Sequence, residues 1–223
     1  MAPARRTGSP APTPSGLRRQ PRQQRSREMV TRIVAAARDV LVRDGYDAFS
    51  TNRVADRAEV SPGSLYQYFP DKAALIDVVT QQYVDQVAED VAAALVDRVG
   101  EVGPTMVRAT ADALLSALER DVGLLRVVWE DLPATRNRDR RDALERRVRE
   151  VLAAYLAVRL PPGSPRRPAP TAWVVVLAVE YLAVRFVLDP DPPLDRDGLL
   201  DEIVAVGVGY LGLAEATKPE VSG

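Results

Sequence analysis

The sequence contains no cysteine and no histidine, and only two of its 30 basic residues, Lys72 and Lys218, are lysines. The lack of cysteine excludes disulfides and thiol catalysis, and the lack of histidine excludes the common zinc sites and Ser-His-Asp triads. Acid–base chemistry is left to carboxylates and hydroxyls, and no spacing among them is typical of catalysis. We therefore expect no catalytic residue, no metal site and no cofactor, and we expect that the protein is not an enzyme.

Aromatic residues are scarce as well. They make up 5% of the 223 residues, whereas hydrophobic residues make up 46% and are mainly Ala, Val and Leu. This composition favours packed helices over a sheet. The length allows a small domain and a larger one with a substantial core. No apolar run follows the first arginines, so a secretory signal is not expected.

Charge is distributed unevenly along the chain. Residues 1–72 carry 13 basic and 7 acidic side chains, whereas residues 73–223 carry 17 and 24. A basic first third suits a module that contacts phosphate, although a chance split on a mixed surface gives the same count. Residues 1–25 are rich in proline and arginine without any acid, which predicts a disordered basic arm. Arg25 and Arg27 either reach DNA beside the first helix or belong to a solubilising tail.

The stretch from Ser50 to Lys72 predicts two short helices joined by a tight turn. Small apolar residues recur on one side of the first helix, and Leu65 and Phe69 give the second helix an inward face. Ser61 and Pro62 form a helix start, with Ser as the N-cap and Pro at the first helical position. An amphipathic helix before this stretch, which stops at Asp44-Gly45, completes a three-helix unit over residues 26–72. The pattern predicts a helix-turn-helix.

The residues of this stretch resemble a known family. Leu65-Tyr66-Gln67-Tyr68-Phe69-Pro70-Asp71-Lys72 is similar to the recognition-helix signature of the TetR-type repressor family, and Val54 to Ser61 is similar to the first helix and turn. The motifs cover about a quarter of the chain. Glu59 departs from the pattern, because the family usually has Gly at this turn position, where the backbone tends toward positive φ. A non-Gly residue costs roughly 1 kcal/mol there.

Candidate DNA contacts follow from the outer faces of these helices and from the resemblance. Gly63 permits close approach of the backbone, and Gln67 has the amide group that pairs with adenine. The resemblance implies phosphate contacts at the cap of the first motif helix and at Lys72, whose cation is unfavourable at a helix N-terminus unless an anion lies nearby. The predicted DNA-binding residues are Arg25, Arg27, Ser50, Thr51, Arg53, Ser61, Pro62, Gly63, Ser64, Tyr66, Gln67, Tyr68 and Lys72.

The rest of the chain predicts a helical bundle. A connecting helix is expected over residues 71–96, and the ligand-binding and dimerisation domain over residues 73–216, with a tail at 217–223. The resemblance implies that helices 171–188 and 195–216 pair with a second subunit, and that the former borders a ligand cavity. Candidate cavity residues, each of which is equally compatible with plain core, are Met106, Leu114, Trp129, Tyr155, Trp173, Leu177, Glu180 and Tyr181.

Glu180 interrupts the most apolar helix of the chain, and an unpaired charge there is costly. It either binds a polar or cationic group of a ligand, pairs with an arginine such as Arg185 of the partner subunit, or remains partly solvated. Two charges within residues 171–188 argue against a membrane span, although the length suffices.

The expected protein is all-α, with an N-terminal helix-turn-helix domain and a larger C-terminal bundle with dimerisation helices. The resemblance implies a cytoplasmic homodimeric transcriptional regulator. It is expected to be a repressor that binds a palindromic operator in double-stranded DNA and is released by a small-molecule effector of unknown identity. The alternative is a DNA-binding protein of the same fold that is controlled by a protein partner or has no effector.

Overall fold

The computed structural model describes residues 20–98, 103–132, 134–160 and 164–211. Within these ranges the chain forms α-helices and no strand, which confirms the all-α prediction. The helices are α1 Gln20–Ala48, α2 Thr51–Ala58, α3 Pro62–Tyr66, α4 Lys72–Asp97, α5 Pro104–Glu119, α6 Val122–Arg126, α7 Ala134–Arg159, α8 Pro168–Leu188 and α9 Arg196–Leu211; a π-helical turn, Val127–Asp131, continues α6.

Helices α1, α2 and α3 form the predicted three-helix unit. The inward stripe of α1, which includes the fully buried Ile33 and Leu41, packs in one core with Val54 of α2 and Leu65 of α3. Helix α1 is broken at Gly45, whose φ of 75° and ψ of 174° are not helical, as the Asp44-Gly45 stop predicts. At its other end α1 begins at Gln20, so the expectation of a disordered arm up to residue 25 is wrong for the last six residues. The glutamines and arginines there are good helix formers, and proline is tolerated in a first turn.

The turn between α2 and α3 is a Schellman motif. Glu59 N–H donates to Asp56 O at 3.2 Å and Val60 N–H donates to Ala55 O at 3.0 Å. Glu59 itself is left-handed, with φ 54° and ψ 46°, and it is the one non-Gly residue with positive φ in the described part of the chain. The positive φ expected at this position is confirmed.

Helix α4 connects the three-helix unit to the rest of the chain. Asp71 caps it by accepting a hydrogen bond from Ala74 N–H at 2.8 Å. Its first half contributes Leu75 and Ile76 to the core shared with α1, and its second half contributes Val91 and Leu95 to a second core. One rigid element therefore touches both ends of the molecule.

In the C-terminal bundle, α5 and α7 pack along α4, α8 packs against α7 and α5, and α9 packs mainly against α5. Arg196 fastens the start of α9 to α5, because its guanidinium donates to Asp112 Oδ1 at 2.5 Å and to Glu119 Oε2 at 3.1 Å. The hydrogen bond that Arg196 donates to Asp112, followed by its interactions with Glu119, raises the pKa of Arg196. Helix α8 begins at Pro168, three residues before the predicted start, because proline is accommodated in a first turn.

Candidate DNA-binding surface and ligand cavities

Helix α3 is a small platform with one buried side. Leu65 is fully buried and Phe69 nearly so, whereas Ser61, Pro62, Gly63, Tyr66 and Gln67 are exposed. The buried pair anchors the helix on the three-helix core, which fixes the backbone from which the exposed side chains project. The structure thus brings the predicted contacts of α3 together on one solvent-facing surface.

The N-terminus of α3 is set by a pair of serines. Ser61 Oγ accepts a hydrogen bond from Ser64 N–H at 3.1 Å and lies 2.8 Å from Ser64 Oγ. A Cβ built on Gly63 would meet only Ser61 Oγ, at 4.0 Å, so the backbone there is open to a close approach. The two hydroxyls and the backbone N–H of Gly63 form a polar tip at the electropositive end of the helix.

The N-terminus of α2 lies beside this surface. Ser50 caps α2 by accepting from Arg53 N–H, and Thr51 Oγ1 lies 3.0 Å from Tyr66 Oη. This hydroxyl pair joins α2 to α3 across the turn. The predicted phosphate contacts at Ser50 and Thr51 and the predicted base contact at Tyr66 are therefore neighbours in the structure.

Arg53 is held by a carboxylate at the end of α1. Its Nη1 lies 3.0 Å from Asp44 Oδ2, and Asp44 also binds Arg43 through Nε at 2.7 Å. The hydrogen bond from Arg43, followed by the contribution of Arg53, lowers the pKa of Asp44 to about 2. Arg53 remains exposed, but this ion pair competes with any contact to DNA.

The N-terminal part of α1 reaches the motif through Tyr68, which is half-buried. Ser26 Oγ donates to Tyr68 Oη at 3.4 Å. Arg25 and Arg27 are exposed on the same end of α1, next to the helix-turn-helix. Residues 1–19 lie outside the described residues, so the basic arm in this part of the chain stays a prediction.

Lys72 has a partner within the fold. Its Nζ donates to Tyr46 O at 2.6 Å and lies 4.6 Å from the centroid of the Tyr46 ring. The ammonium therefore closes the loop between α1 and α2 against the start of α4. A lysine ammonium has three donors, so a phosphate contact is compatible with this geometry.

A small cavity lies within the bundle, between α4, α5, α7, α8 and α9. We call it the bundle cavity; its volume is about 90 Å³. Apolar side chains form nearly all of its wall, and the polar groups are Thr110, Glu145 and Glu180. Thr110 already donates to Met106 O at 2.9 Å. Three predicted cavity residues, Met106, Leu114 and Glu180, line it.

The other five predicted cavity residues lie elsewhere. Tyr155 is buried in the second core, and Trp129 and Leu177 are half-buried. Trp173 and Tyr181 of α8 are 50% and 68% exposed. Size and apolar character alone did not distinguish a cavity wall from the outer face of a helix. The prediction that Trp173 and Tyr181 line the cavity is therefore wrong for the single chain.

A second cavity was missed by the sequence patterns. It lies between α1, α4, the end of α5 and the start of α6, and its volume is about 430 Å³. We call it the interdomain cleft. Tyr83 of α4 lies in its wall, and burial, followed by the charge of Asp121, raises the pKa of this phenol. A tyrosine within the apolar row Val79, Tyr83, Val87 was the one available signal, and such a residue usually belongs to the core.

Two family models match the chain. The model of the tetR family of bacterial regulatory proteins matches residues 33–79, and the model of the tetracyclin repressor-like C-terminal domain matches residues 104–211. Together the two matches span both parts of the molecule.

The chain is also similar to individual proteins. It is 27% identical over 217 residues to the HTH-type transcriptional activator FasR of Mycolicibacterium smegmatis, covering 96% of each chain. It is 44% identical over 50 residues to the HTH-type transcriptional repressor KstR of Mycobacterium tuberculosis, covering 22% of this chain and 23% of that protein. A putative TetR-family regulator from Mesorhizobium loti has the same fold, with a TM-score of 0.65 at 20% identity over 84% of this chain and 97% of that one.

Proposed function

The chain belongs to the tetR family of bacterial regulatory proteins, a family of DNA-binding transcriptional regulators, and from this premise we propose that it is a homodimeric repressor of a palindromic operator. Members of this family regulate transcription and are not enzymes, which agrees with the expectation from the sequence. The single observation that carries the proposal is the α3 platform, whose exposed tip rests on the buried Leu65 and Phe69. A helix presented in this way fits the major groove.

The proposed contacts divide by chemistry. Gln67 and Tyr66 read base edges, the backbone at Gly63 approaches the groove, and Ser50 and Thr51 hold a phosphate at the start of α2. Lys72 adds charge at the phosphate backbone. Arg25 and Arg27 do the same from α1, while Arg53 must first leave Asp44.

The proposed dimer interface is formed by α8 and α9. In the single chain these helices leave large apolar side chains in solvent, among them Trp173, Tyr181 and Leu182 of α8 and Val206 of α9. Helix α8 is long and apolar enough to cross a membrane, but core helices of soluble proteins pass the same test. Glu180 and Arg185 within it favour a protein partner over lipid. Gly207 packs closely within the chain, since a Cβ there would lie 3.0 Å from Val107 Cγ1, whereas Gly209 faces open space and leaves room for a partner helix.

The proposed effector site is the bundle cavity. Its wall calls for an apolar or amphipathic molecule, yet about 90 Å³ is well below the ~300 Å³ at which ligand pockets usually begin. The cavity must therefore widen when it binds. Val87, Val91 and Leu95 of α4 form part of the wall, so widening moves the helix that also packs under the helix-turn-helix. DNA affinity and effector affinity are then reciprocally linked.

The small volume also favours a second candidate, a regulator of the same fold without a small-molecule effector. Activation is the alternative to repression, because FasR, which the chain matches over 96% of its length, is named a transcriptional activator. The proposed location is the cytoplasm, where the operator is.

Selection of binding sites from random DNA tests the DNA-binding proposal. The wild-type chain should enrich two inverted half-sites about one helical turn, or a multiple, apart, and a Tyr66→Ala, Gln67→Ala variant should enrich none. Enrichment of a single unpaired site would contradict the dimeric reading. A reporter gene behind the selected operator separates repression from activation. A Leu114→Trp variant, which fills the bundle cavity, should stay DNA-bound under any effector that releases the wild type.

A further inference from the structure

The interdomain cleft contains a buried polar group with no hydrogen bond. Tyr83 is 8% exposed, and its Oη finds no hydrogen-bond partner in the described part of the chain. A buried hydroxyl without a partner is destabilising, and such groups are rare in native proteins. The phenol is therefore a spare donor in the cleft wall, and a small shift of the side chains around it lets it donate to a molecule that enters the cleft.

The wall around Tyr83 is apolar at its base. Val34 of α1 faces Val79 and Val87 of α4, and all three are at least nine-tenths buried. A volume of about 430 Å³ falls within the usual range for small-molecule sites, so the space suits an apolar body of modest size.

The mouth of the cleft is charged. Arg38, Arg120 and Asp121 all belong to the wall, which gives it two cations and one anion. Asp121 is committed to the fold, because its Oδ1 accepts from Leu124 N–H at 3.0 Å and its Oδ2 accepts from Arg38 Nε at 2.8 Å. Arg120 binds Asp90 through Nη2, which leaves other donors of its guanidinium for a ligand.

We propose that the interdomain cleft is a binding site for a small carboxylic acid with an apolar body, whose carboxylate accepts from Tyr83 Oη and faces Arg120. The apolar body lies against the valines of α1 and α4. The site is separate from the bundle cavity, although Val87 contributes to both walls. Its occupant touches α1 of the helix-turn-helix unit and α6 of the bundle side together, so it acts where the two parts meet.

Octanoate is the probe, and 1-octanol and octylamine are its neutral and cationic counterparts. Isothermal titration calorimetry on the full chain should show octanoate binding most tightly, 1-octanol more weakly and octylamine weakest. Tyr83→Phe removes only the unpaired hydroxyl, so the thermal midpoint should stay equal or rise. The Kd for octanoate should weaken about three- to ten-fold, as for the loss of one hydrogen bond.

Three further variants locate the site. Tyr155→Phe, at a buried tyrosine of the other core, and Leu114→Trp, in the bundle cavity, should leave the Kd for octanoate unchanged. Ala35→Phe, which adds bulk at an exposed α1 position of the cleft wall, should abolish binding. These readouts do not depend on DNA binding or on the effector proposal.

Several results would overturn the proposal. One is no detectable binding of octanoate at millimolar concentration, in which case the phenol is simply hydrated. Another is binding that Leu114→Trp abolishes and Tyr83→Phe leaves intact, which would move the site to the bundle cavity. Tighter binding of octylamine than of octanoate would refute the assigned chemistry.

Discussion

Replacing Glu59 by glycine should stabilise the protein. Glu59 ends α2 at φ 54° and ψ 46°, where a residue with a Cβ costs about 1–2 kcal/mol. Its side chain is exposed and makes no hydrogen bond or ion pair among the described residues, so the change removes the strain and no contact. Glycine is freer in the unfolded chain, which offsets about 0.4–1 kcal/mol of the gain. The midpoints of the two ranges give a net stabilisation of about 0.8 kcal/mol.

The assay is thermal and urea unfolding at one fixed protomer concentration, since dimer stability depends on concentration. For a chain of this size, that gain corresponds to a rise in Tm of about 1–4 °C. Glu59→Ala is the matched control, because it removes the same carboxylate while keeping a Cβ, and it should give no rise. A lower stability of Glu59→Gly, or an equal rise in Glu59→Ala, would contradict a strained backbone at Glu59.

Three other substitutions test contacts between elements of the fold. Gly123→Ala places a Cβ 2.4 Å from Val42 Cγ1 and should lower the free energy of unfolding in urea by about 1–3 kcal/mol. Adding Val42→Ala should restore most of the lost stability. An unchanged stability of Gly123→Ala would contradict the close packing of α6 on α1. Lys72→Met should lower Tm through the lost bond to Tyr46 O and, if the phosphate contact is made, should reduce the salt slope of DNA binding by about one unit; an unchanged slope would leave Lys72 purely structural. The pKa of Asp44 is lowered to about 2, so its carboxylate contributes its full stabilisation above the ordinary pKa of an Asp side chain and loses it as the pH falls toward 2. Acid unfolding of Asp44→Asn should lack this loss. The same fall of stability at low pH in both proteins would contradict the ion pairs of Asp44 with Arg43 and Arg53.

The helix-turn-helix could be predicted from sequence because its signals are local. The cap at Ser61, the proline after it and the buried Leu65–Phe69 pair depend on neighbours within a few residues, and the structure contains each of them. The left-handed Glu59 was also predicted, since the position of a turn fixes its backbone. Contacts over long sequence distances were missed. Lys72 was expected to contact a phosphate, and nothing near it in sequence indicates the carbonyl of Tyr46, 26 residues away.

The cavities show a further limit of sequence patterns. Trp173 and Tyr181 have the same apolar character as a cavity wall, but a helical pattern does not tell which side of a helix meets its own bundle and which is exposed. The interdomain cleft depends on Arg38 and Asp121, which lie 83 residues apart and meet only after folding. Side-chain partners that three or four helices bring together are set by packing, and no single periodicity records them.

The most direct test of the central claim is fluorescence anisotropy with the DNA immediately upstream of this protein's own gene, measured over a series of salt concentrations. We expect tight binding that weakens steeply with salt and that a Tyr66→Ala, Gln67→Ala variant loses. Weak binding that is indifferent to DNA sequence and unchanged in that variant would contradict the assignment of α3 as the recognition helix for this DNA.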